Sequence, residues 1–250
     1  SGIDADVDEI PIRQLEGDMV FNHKSMYLSA KGQVLEQPMD VQGSIRMDTT
    51  DPILSLKIAS EGFDPRVIAP EAPINGKLAF QVDVTGISTN PIMAGKIELP
   101  SGQVAGYEIS NAKALFQMIN KKITINEASA QMLGGTVSAA GKAELVNNSY
   151  QLQLKARNID FSYMDELVPG MQGHGDVDVK VSGTGNLKEA DAQGTVSIGQ
   201  GKISGLSFDS VAAGFYRHGE NIVIDYGTIS LAQGLITTHG RIDGQGIQLA

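Results

Sequence analysis

One glycine-punctuated segment of this chain is written twice, at a spacing of almost one hundred residues. Residues 74–106 read INGKLAFQVDVTGISTNPIMAGKIELPSGQVAG, and residues 171–205 read MQGHGDVDVKVSGTGNLKEADAQGTVSIGQGKISG. Gly95 of the first copy corresponds to Gly194 of the second. A β-rich unit repeated at a fixed period is typical of an array of repeats rather than of an enzyme with one compact core.

The repeat predicts how the whole chain is organised. We expect one continuous repeating fragment over residues 1–250, with repeats at about 74–172 and 173–250 and a partial repeat at 1–73. Upstream of the duplicated segment, Ala59 and Ala156 stand in similar alternating stretches, which extends the period toward the N-terminus. Because both ends fall within strand-like sequence, we also expect a soluble piece of a longer chain.

Composition limits the possible classes of protein. The chain has 29 Gly, 9 Pro, no Trp and 41% hydrophobic residues, which favours β-strands with many turns. Its net charge of −10 argues against nucleic acid as a partner, since nucleic-acid binding needs a basic surface. It has no Cys, and no apolar run approaches the length of about 20 residues that spans a bilayer.

The alternation of apolar and polar residues has a period of two, as in strands with one buried face. We therefore predict an all-β fold of about twenty short strands that pair mostly antiparallel. Residues 111–120 contain good helix formers, but their repeat partner, residues 210–219, does not, and we predict strands for both. One apolar face should hold Leu78, Phe80, Val82, Val84, Ile97, Phe116, Ile123, Val177, Val179, Val181, Val196, Phe215 and Ile222.

Two short segments interrupt the alternation and precede prolines. We predict one-turn helices near residues 64–70 and 161–169. The run Asp4, Asp6 and Asp8 resembles a calcium loop, but Glu9 and Leu15 stand where that loop needs Gly and Glu. We therefore predict a strand with an acidic face there.

No pattern in the sequence indicates catalysis. The four histidines are scattered without metal-ligand spacing, and the glycine-rich segment at 199–205 has neither the spacing nor the following helix of a dinucleotide site. No nucleophile motif of the G-x-S-x-G type occurs. We predict a non-enzymatic protein and assign no catalytic residue, metal or cofactor.

The apolar face is too large to remain in contact with water, because soluble monomers rarely expose apolar patches beyond a few hundred Å². It can be covered by closing on itself, by another protein, or by an apolar ligand lying in a trough. A closed core should alternate Gly or Ala with large residues at inward positions. Here Val, Ile and Leu dominate the expected inward positions, which favours an open trough.

Residues 194–211 (GTVSIGQGKISGLSFDSV), residues 222–225 (IVID) and residues 234–240 (GLITTHG) resemble the AsmA/TamB family of Gram-negative envelope proteins. The earlier copy, residues 95–141, resembles the family more loosely. The resemblance implies a long β-sheet curled into a U-shaped apolar groove, a β-taco or repeating β-groove. It also implies a periplasmic location within a parent chain anchored in the inner membrane by a segment absent from this sequence.

The resemblance further implies a function and partners. Relatives of this family are linked to outer-membrane biogenesis and phospholipid movement, so we expect a lipid conduit whose groove is lined by the thirteen apolar residues named above. The partners implied are phospholipid or another acyl-chain lipid and, through the parent chain, an outer-membrane assembly barrel similar to TamA. Two alternatives stay open: a chaperone-like module that pairs its sheet edge with client strands, and a purely structural β-solenoid.

Overall fold

The computed structural model describes residues 3–7, 10–68, 70, 73–165, 169–185, 189–219, 221–243 and 246–249. The chain forms two compact units, unit 1 over Ser1–Ala128 and unit 2 over Ser129–Ala250. No helix among the described residues is long and apolar enough to cross a membrane.

Unit 1 is built almost entirely of strands. They are β1 (Ile3–Val7), β2 (Ile10–Phe21), β3 (Ser25–Val34), β4 (Gln37–Arg46), β5 (Ile53–Phe63), β6 (Ile74–Gly76), β7 (Leu78–Ile87), β8 (Ile92–Val104) and β9 (Tyr107–Ile119). A one-turn 3₁₀ helix, Pro65–Val67, lies between β5 and β6. Strand β10 (Lys122–Met132) begins in unit 1 and ends in unit 2.

Unit 2 repeats this arrangement. Its strands are β11 (Gly135–Glu144), β12 (Ser149–Asp160), β13 (Met171–Thr184), β14 (Asp191–Ile203), β15 (Leu206–Phe208), β16 (Ser210–His218), β17 (Asn221–Leu231), β18 (Gly234–Asp243) and β19 (Gly246–Leu249). A second one-turn helix, Phe161–Met164, follows β12. Both predicted one-turn helices are confirmed, although residues 69 and 166–168 of the predicted ranges lie outside the described residues.

The strands of each unit form an antiparallel ladder in which the long strands pair in sequence order. The two three-residue strands interrupt this order, since β6 pairs with β8 while β5 pairs with β7, and β15 pairs with β14 beside the pairing of β14 with β16. No described pairing joins β1 to β9 or β11 to β19, so neither described ladder closes on itself. The ambiguous segments at 111–120 and 210–219 lie mainly in β9 and β16. The predicted all-β, mostly antiparallel fold is therefore confirmed.

The sequence repeat is also a repeat of strand register. In unit 1, Gly76 lies opposite Gly102. In unit 2, Gly173 lies opposite Gly201. Equal pairings at corresponding positions mean that the two copies of the sequence specify the same local ladder.

The proposed match between Ala59 and Ala156 is wrong by one residue. Ala59 pairs with Gln81 on the polar face, whereas Ala156 pairs with Val177 on the apolar face. When the two units are aligned by their strand pairings, the counterpart of Ala59 is Lys155, which pairs with Asp178. Because side chains alternate between faces, an error of one residue places an alanine on the opposite side of the sheet.

Each one-turn helix starts from an aspartate that caps it. Asp64 Oδ1 accepts a hydrogen bond from the backbone N–H of Arg66 at 3.1 Å, and Asp160 Oδ1 accepts one from Ser162 N–H at 2.9 Å. Both aspartates have nearly the same extended backbone conformation. Such caps satisfy N–H groups that a helix leaves without partners in its first turn. The same residue type therefore turns the chain at equivalent points of the two units.

The cap in unit 1 carries an additional charge interaction. Arg66 donates from Nε to Asp64 Oδ1 at 3.0 Å and from Nη2 to Asp64 Oδ2 at 2.8 Å. These side-chain hydrogen bonds, followed by the backbone N–H of Arg66, lower the pKa of Asp64 to about 2. A carboxyl whose pKa is lower in the folded chain stabilises the fold above its unfolded pKa.

We expect Asp64→Asn to lower the melting temperature at pH 7, because asparagine still caps the helix but cannot form the ion pair with Arg66. The difference from the parent chain should shrink as the pH falls from about 4 to about 2, where Asp64 itself becomes protonated. Thermal melts across that pH range measure it. Asp51→Asn, which removes the same charge from a half-buried bend between β4 and β5, is the control. An equal, pH-independent effect of both changes would contradict the assignment.

Candidate functional site

The register of unit 1 places its apolar side chains in rows that cross the strands. One row runs through Leu56, Val84, Met93 and Met118. Neighbouring positions on the same strands carry residues such as Lys57 and Asp83, which point to the other face. Each strand of this part of the ladder therefore separates an apolar face from a polar face.

The predicted lining residues of unit 1 lie on this apolar face, except that the face of Ile123 stays a prediction. Phe80 pairs with Ile97, and Val82 pairs with Gly95, which in turn lies opposite Phe116. The remaining members occupy further positions of unit 1: Leu78 opposite Phe63, Val84 opposite Leu56, and Ile123 half-buried on β10.

In unit 2 the predicted residues again share one face. Val177 pairs with Val196, Val181 pairs with Leu152, and Ile222 pairs with Arg217. Val179 lies between Leu154 and Gly194, and Gly194 lies opposite Phe215. That the sets of the two units share one groove stays a prediction.

Glycines stand among the large residues on the apolar face, and this corrects the expectation that Val, Ile and Leu dominate it. A Cβ at Gly194 would lie 2.8 Å from Cζ of Phe215 and 2.5 Å from the carbonyl oxygen of Asp178. The glycine therefore leaves room for the ring of Phe215 beside the neighbouring backbone. Since a closed core also pairs glycine with large residues, residue type at inward positions does not distinguish an open face from a closed one.

Side-chain exposure separates these two arrangements. Of the thirteen predicted lining residues, only Val82 and Val84 are buried, at 7% and 6% exposure, and the other eleven are half-buried. Val179 and Val181 keep accessible surface although they stand within a 14-residue strand with paired neighbours on both sides. A second packed layer would remove that surface, so these apolar side chains are not enclosed as a protein core is.

Unit 2 does bury a small core, at one edge of its ladder. Its buried members belong to the end of β12, the one-turn helix, the start of β13, the middle of β14 and β15. They are Ile159, Phe161, Met171, Ile198 and Phe208. The one-turn helix of each unit packs at the ends of several strands. We call that side of the ladder, formed by strand ends, the helix edge.

Two predicted lining residues of unit 2, Val177 and Val196, pack against this core. Val179, Val181 and Phe215 do not belong to it and lie farther from the helix edge. The apolar face of unit 2 is thus closed at the helix edge and more accessible beyond it.

The helix edge of unit 1 is closed in a related way. The rings of Phe63 and Phe80 meet edge to face, with centroids 5.5 Å apart. Gln37 Oε1 accepts a hydrogen bond from the backbone N–H of Asp64 at 2.9 Å, and Ser60 Oγ donates to the carbonyl of Pro38 at 2.5 Å. Phe80 is therefore part of the packing at this edge as well as of the apolar face.

Several large residues belong to the same faces but were not predicted as lining, among them two leucines and two methionines. Leu152 and Leu154 of β12 flank Val181 and Val179, and Met93 and Met118 pair with each other in unit 1. The alternation of β12 already indicated its two leucines. Met93 follows a proline and a turn at the start of its strand, where alternation is short and carries less information.

The polar faces of both units carry ion pairs. Arg157 Nη2 donates to Asp178 Oδ1 at 2.7 Å, and this hydrogen bond lowers the pKa of Asp178. In unit 1, Lys57 Nζ lies 3.9 Å from Asp83 Oδ1. Across the described parts of the chain, no three His, Cys, Asp or Glu side chains are grouped so that they could hold a metal ion.

Comparison of the chain with protein-family models, with curated proteins and with solved structures found no match.

We expect Gly194→Ala to destabilise unit 2 by about 1–3 kcal/mol, because the added methyl group would overlap Phe215 and the backbone of β13. Gly199→Ala on the same strand is the matched control, since a Cβ there would meet nothing closer than 3.8 Å. That control should be neutral or slightly stabilising. Chemical denaturation of the two variants measures the difference, and equal stabilities would show that Gly194 is not required by the contact with Phe215.

Proposed function

We propose that the apolar faces of this protein bind the acyl chains of lipids, and that the protein is a non-enzymatic carrier of phospholipid within a cell envelope. The observation that carries this proposal is the half-buried state of valines such as Val179 and Val181 in the middle of paired strands. An apolar surface that the protein itself leaves accessible can be covered by an apolar ligand.

The energetics of lipid transfer agree with such a surface. Each CH₂ group removed from water gains about 0.8 kcal/mol, so an uncovered acyl chain crosses an aqueous compartment only at a large cost in free energy. A face of valine, leucine, methionine and phenylalanine is about as apolar as the bilayer interior. Transfer along it would change the free energy little at each step, which suits passage of a lipid rather than its storage.

The polar face supports the same proposal by fixing the orientation of the sheet. Lys57, Asp83, Arg157 and Asp178 hold one side of the strands in contact with water. The opposite side then presents the apolar residues to a ligand. A sheet with this division needs no catalytic residue to act as a carrier.

The resemblance of residues 194–240 to the AsmA/TamB family adds the proposed setting. In that setting the protein lies in the periplasm, within a parent chain anchored in the inner membrane. It carries phospholipid acyl chains between the inner and outer membranes and acts with an outer-membrane assembly barrel similar to TamA.

We expect Val179→Arg to leave the chain folded but to remove its bound lipid. On an accessible face the guanidinium can reach water, whereas in a closed core the buried charge would cost several kcal/mol and unfold the unit. Circular dichroism measures the folding, and mass spectrometry of lipid extracted from the purified protein measures the occupancy. Thr195→Arg places the same side chain at an exposed position of the polar face and should keep the lipid.

Two outcomes of this experiment would contradict the proposal. Loss of the β-sheet signal in Val179→Arg alone would show that the face is a closed structural core. A folded Val179→Arg protein that retains as much lipid as the parent would show that the lipid does not lie on this face.

A further inference from the structure

We infer that unit 2 has a second ligand site, a cleft on its polar face that binds a phosphate-bearing anion. The cleft has a volume of about 530 Å³ and crosses strands β11, β12, β13 and β14. This volume lies within the range of small-molecule sites, which is roughly 300–1,000 Å³.

The register shows on which face the cleft opens. The residues that line the cleft belong to three successive rows, each made of residues paired across the four strands. The middle row, Gly141, Leu152, Val181 and Ala192, directs its side chains to the apolar face and so supplies backbone to the cleft. The two flanking rows direct their side chains to the polar face, so the cleft is separated from the proposed lipid-binding surface by the thickness of the sheet.

The long side chains of one flanking row are hydrogen-bond donors without a protein partner. Lys180 stands between Gln153 and Gln193 in the register. Within the described part of the chain, these three side chains form no hydrogen bond or ion pair with the protein. Lys142 and Gln151 of the other flanking row add a second ammonium group and a third amide.

The corresponding place in unit 1 is built differently, and this difference is the second observation behind the inference. The rows of Leu56–Val84 and Leu152–Val181 correspond, so Lys57 and Asp83 of unit 1 match Gln153 and Lys180 of unit 2. In unit 1 the lysine faces an aspartate across the strands, with 3.9 Å between Nζ and Oδ1. Unit 2 has the same ladder without that acid, so the fold does not require an uncompensated lysine there.

The chemistry of the cleft favours an anion with several oxygen atoms. Ammonium groups bind phosphate as point charges, and amide NH₂ groups donate to its remaining oxygens. The charged groups that face the cleft are Lys142, Lys180 and Asp191. Asp191 Oδ1 lies 2.5 Å from Nδ1 of His218, which occupies one of its oxygens. Two lysines against one aspartate leave the cleft positive in a chain whose net charge is −10.

A phosphate group could reach this cleft from a soluble ester or from a phospholipid head group. Titration calorimetry with inorganic phosphate and with glycerol 3-phosphate tests the shared chemistry, and co-sedimentation with phosphatidylglycerol vesicles tests the lipid source. We expect saturable binding of the two soluble probes. Vesicle binding that is lost together with phosphate binding assigns the head group as the source, and binding of the soluble probes alone assigns a soluble ester.

The decisive variant introduces the lysine and aspartate of unit 1 at the corresponding two positions of unit 2. Gln153→Lys combined with Lys180→Asp recreates the ion pair of Lys57 and Asp83, and the chain already shows that this ladder accepts such a pair. We expect phosphate binding to weaken at least about tenfold in this double variant, because it loses a charge-assisted hydrogen bond. Lys57→Gln in unit 1 is the matched control and should bind as the parent does.

The inference is overturned if the parent chain shows no saturable binding of either soluble probe, or if the double variant binds them as tightly as the parent. Val179→Arg keeps this test separate from the proposed carrier function. That variant changes only the opposite face of the sheet, so it should lose lipid and retain phosphate binding.

Discussion

An apolar sheet face that the chain does not enclose is the constraint on which the rest of this structure depends. Backbone hydrogen bonds between antiparallel strands hold each ladder together without a second layer over every row. Val179 and Val181 are consequently paired on both sides and still accessible. Under the proposed function, burial of this remaining apolar surface supplies the binding free energy for an acyl chain.

The helix edges provide conventional packing that the open rows lack. In unit 2, Phe208 is 2% exposed and belongs to a core formed by the one-turn helix and four strands. In unit 1, Phe63 packs on Phe80 and Asp64 fixes the turn by capping its helix. Each unit thus combines a closed edge, which anchors the register of its strands, with an accessible face. Under the proposed function, stability and lipid binding depend on different parts of the same strands.

The polar faces show how a repeated ladder can acquire separate properties in its two copies. Cross-strand neighbours with opposite charges, such as Lys57 and Asp83, suit a face that is simply solvated. In unit 2, Gln153 and Gln193 flank Lys180, and all three side chains point away from the apolar face. Because the two faces are independent along a strand of period two, a second site can arise without disturbing the first.

The sequence by itself determined the fold class, most strands, both one-turn helices and the repeat, because these depend on local alternation and on residues such as Asp64 and Asp160 that act within one turn. Only the tertiary structure decided the register. Strand pairing places Ala156 with Leu152 and Leu154 on the apolar face, whereas its supposed partner Ala59 lies with Lys57 on the polar face. Register also decides which glycines face large residues, which residues meet at the helix edges, and which side chains line the cleft. It joins residues that are distant in sequence, so it leaves no periodic signal in any single strand.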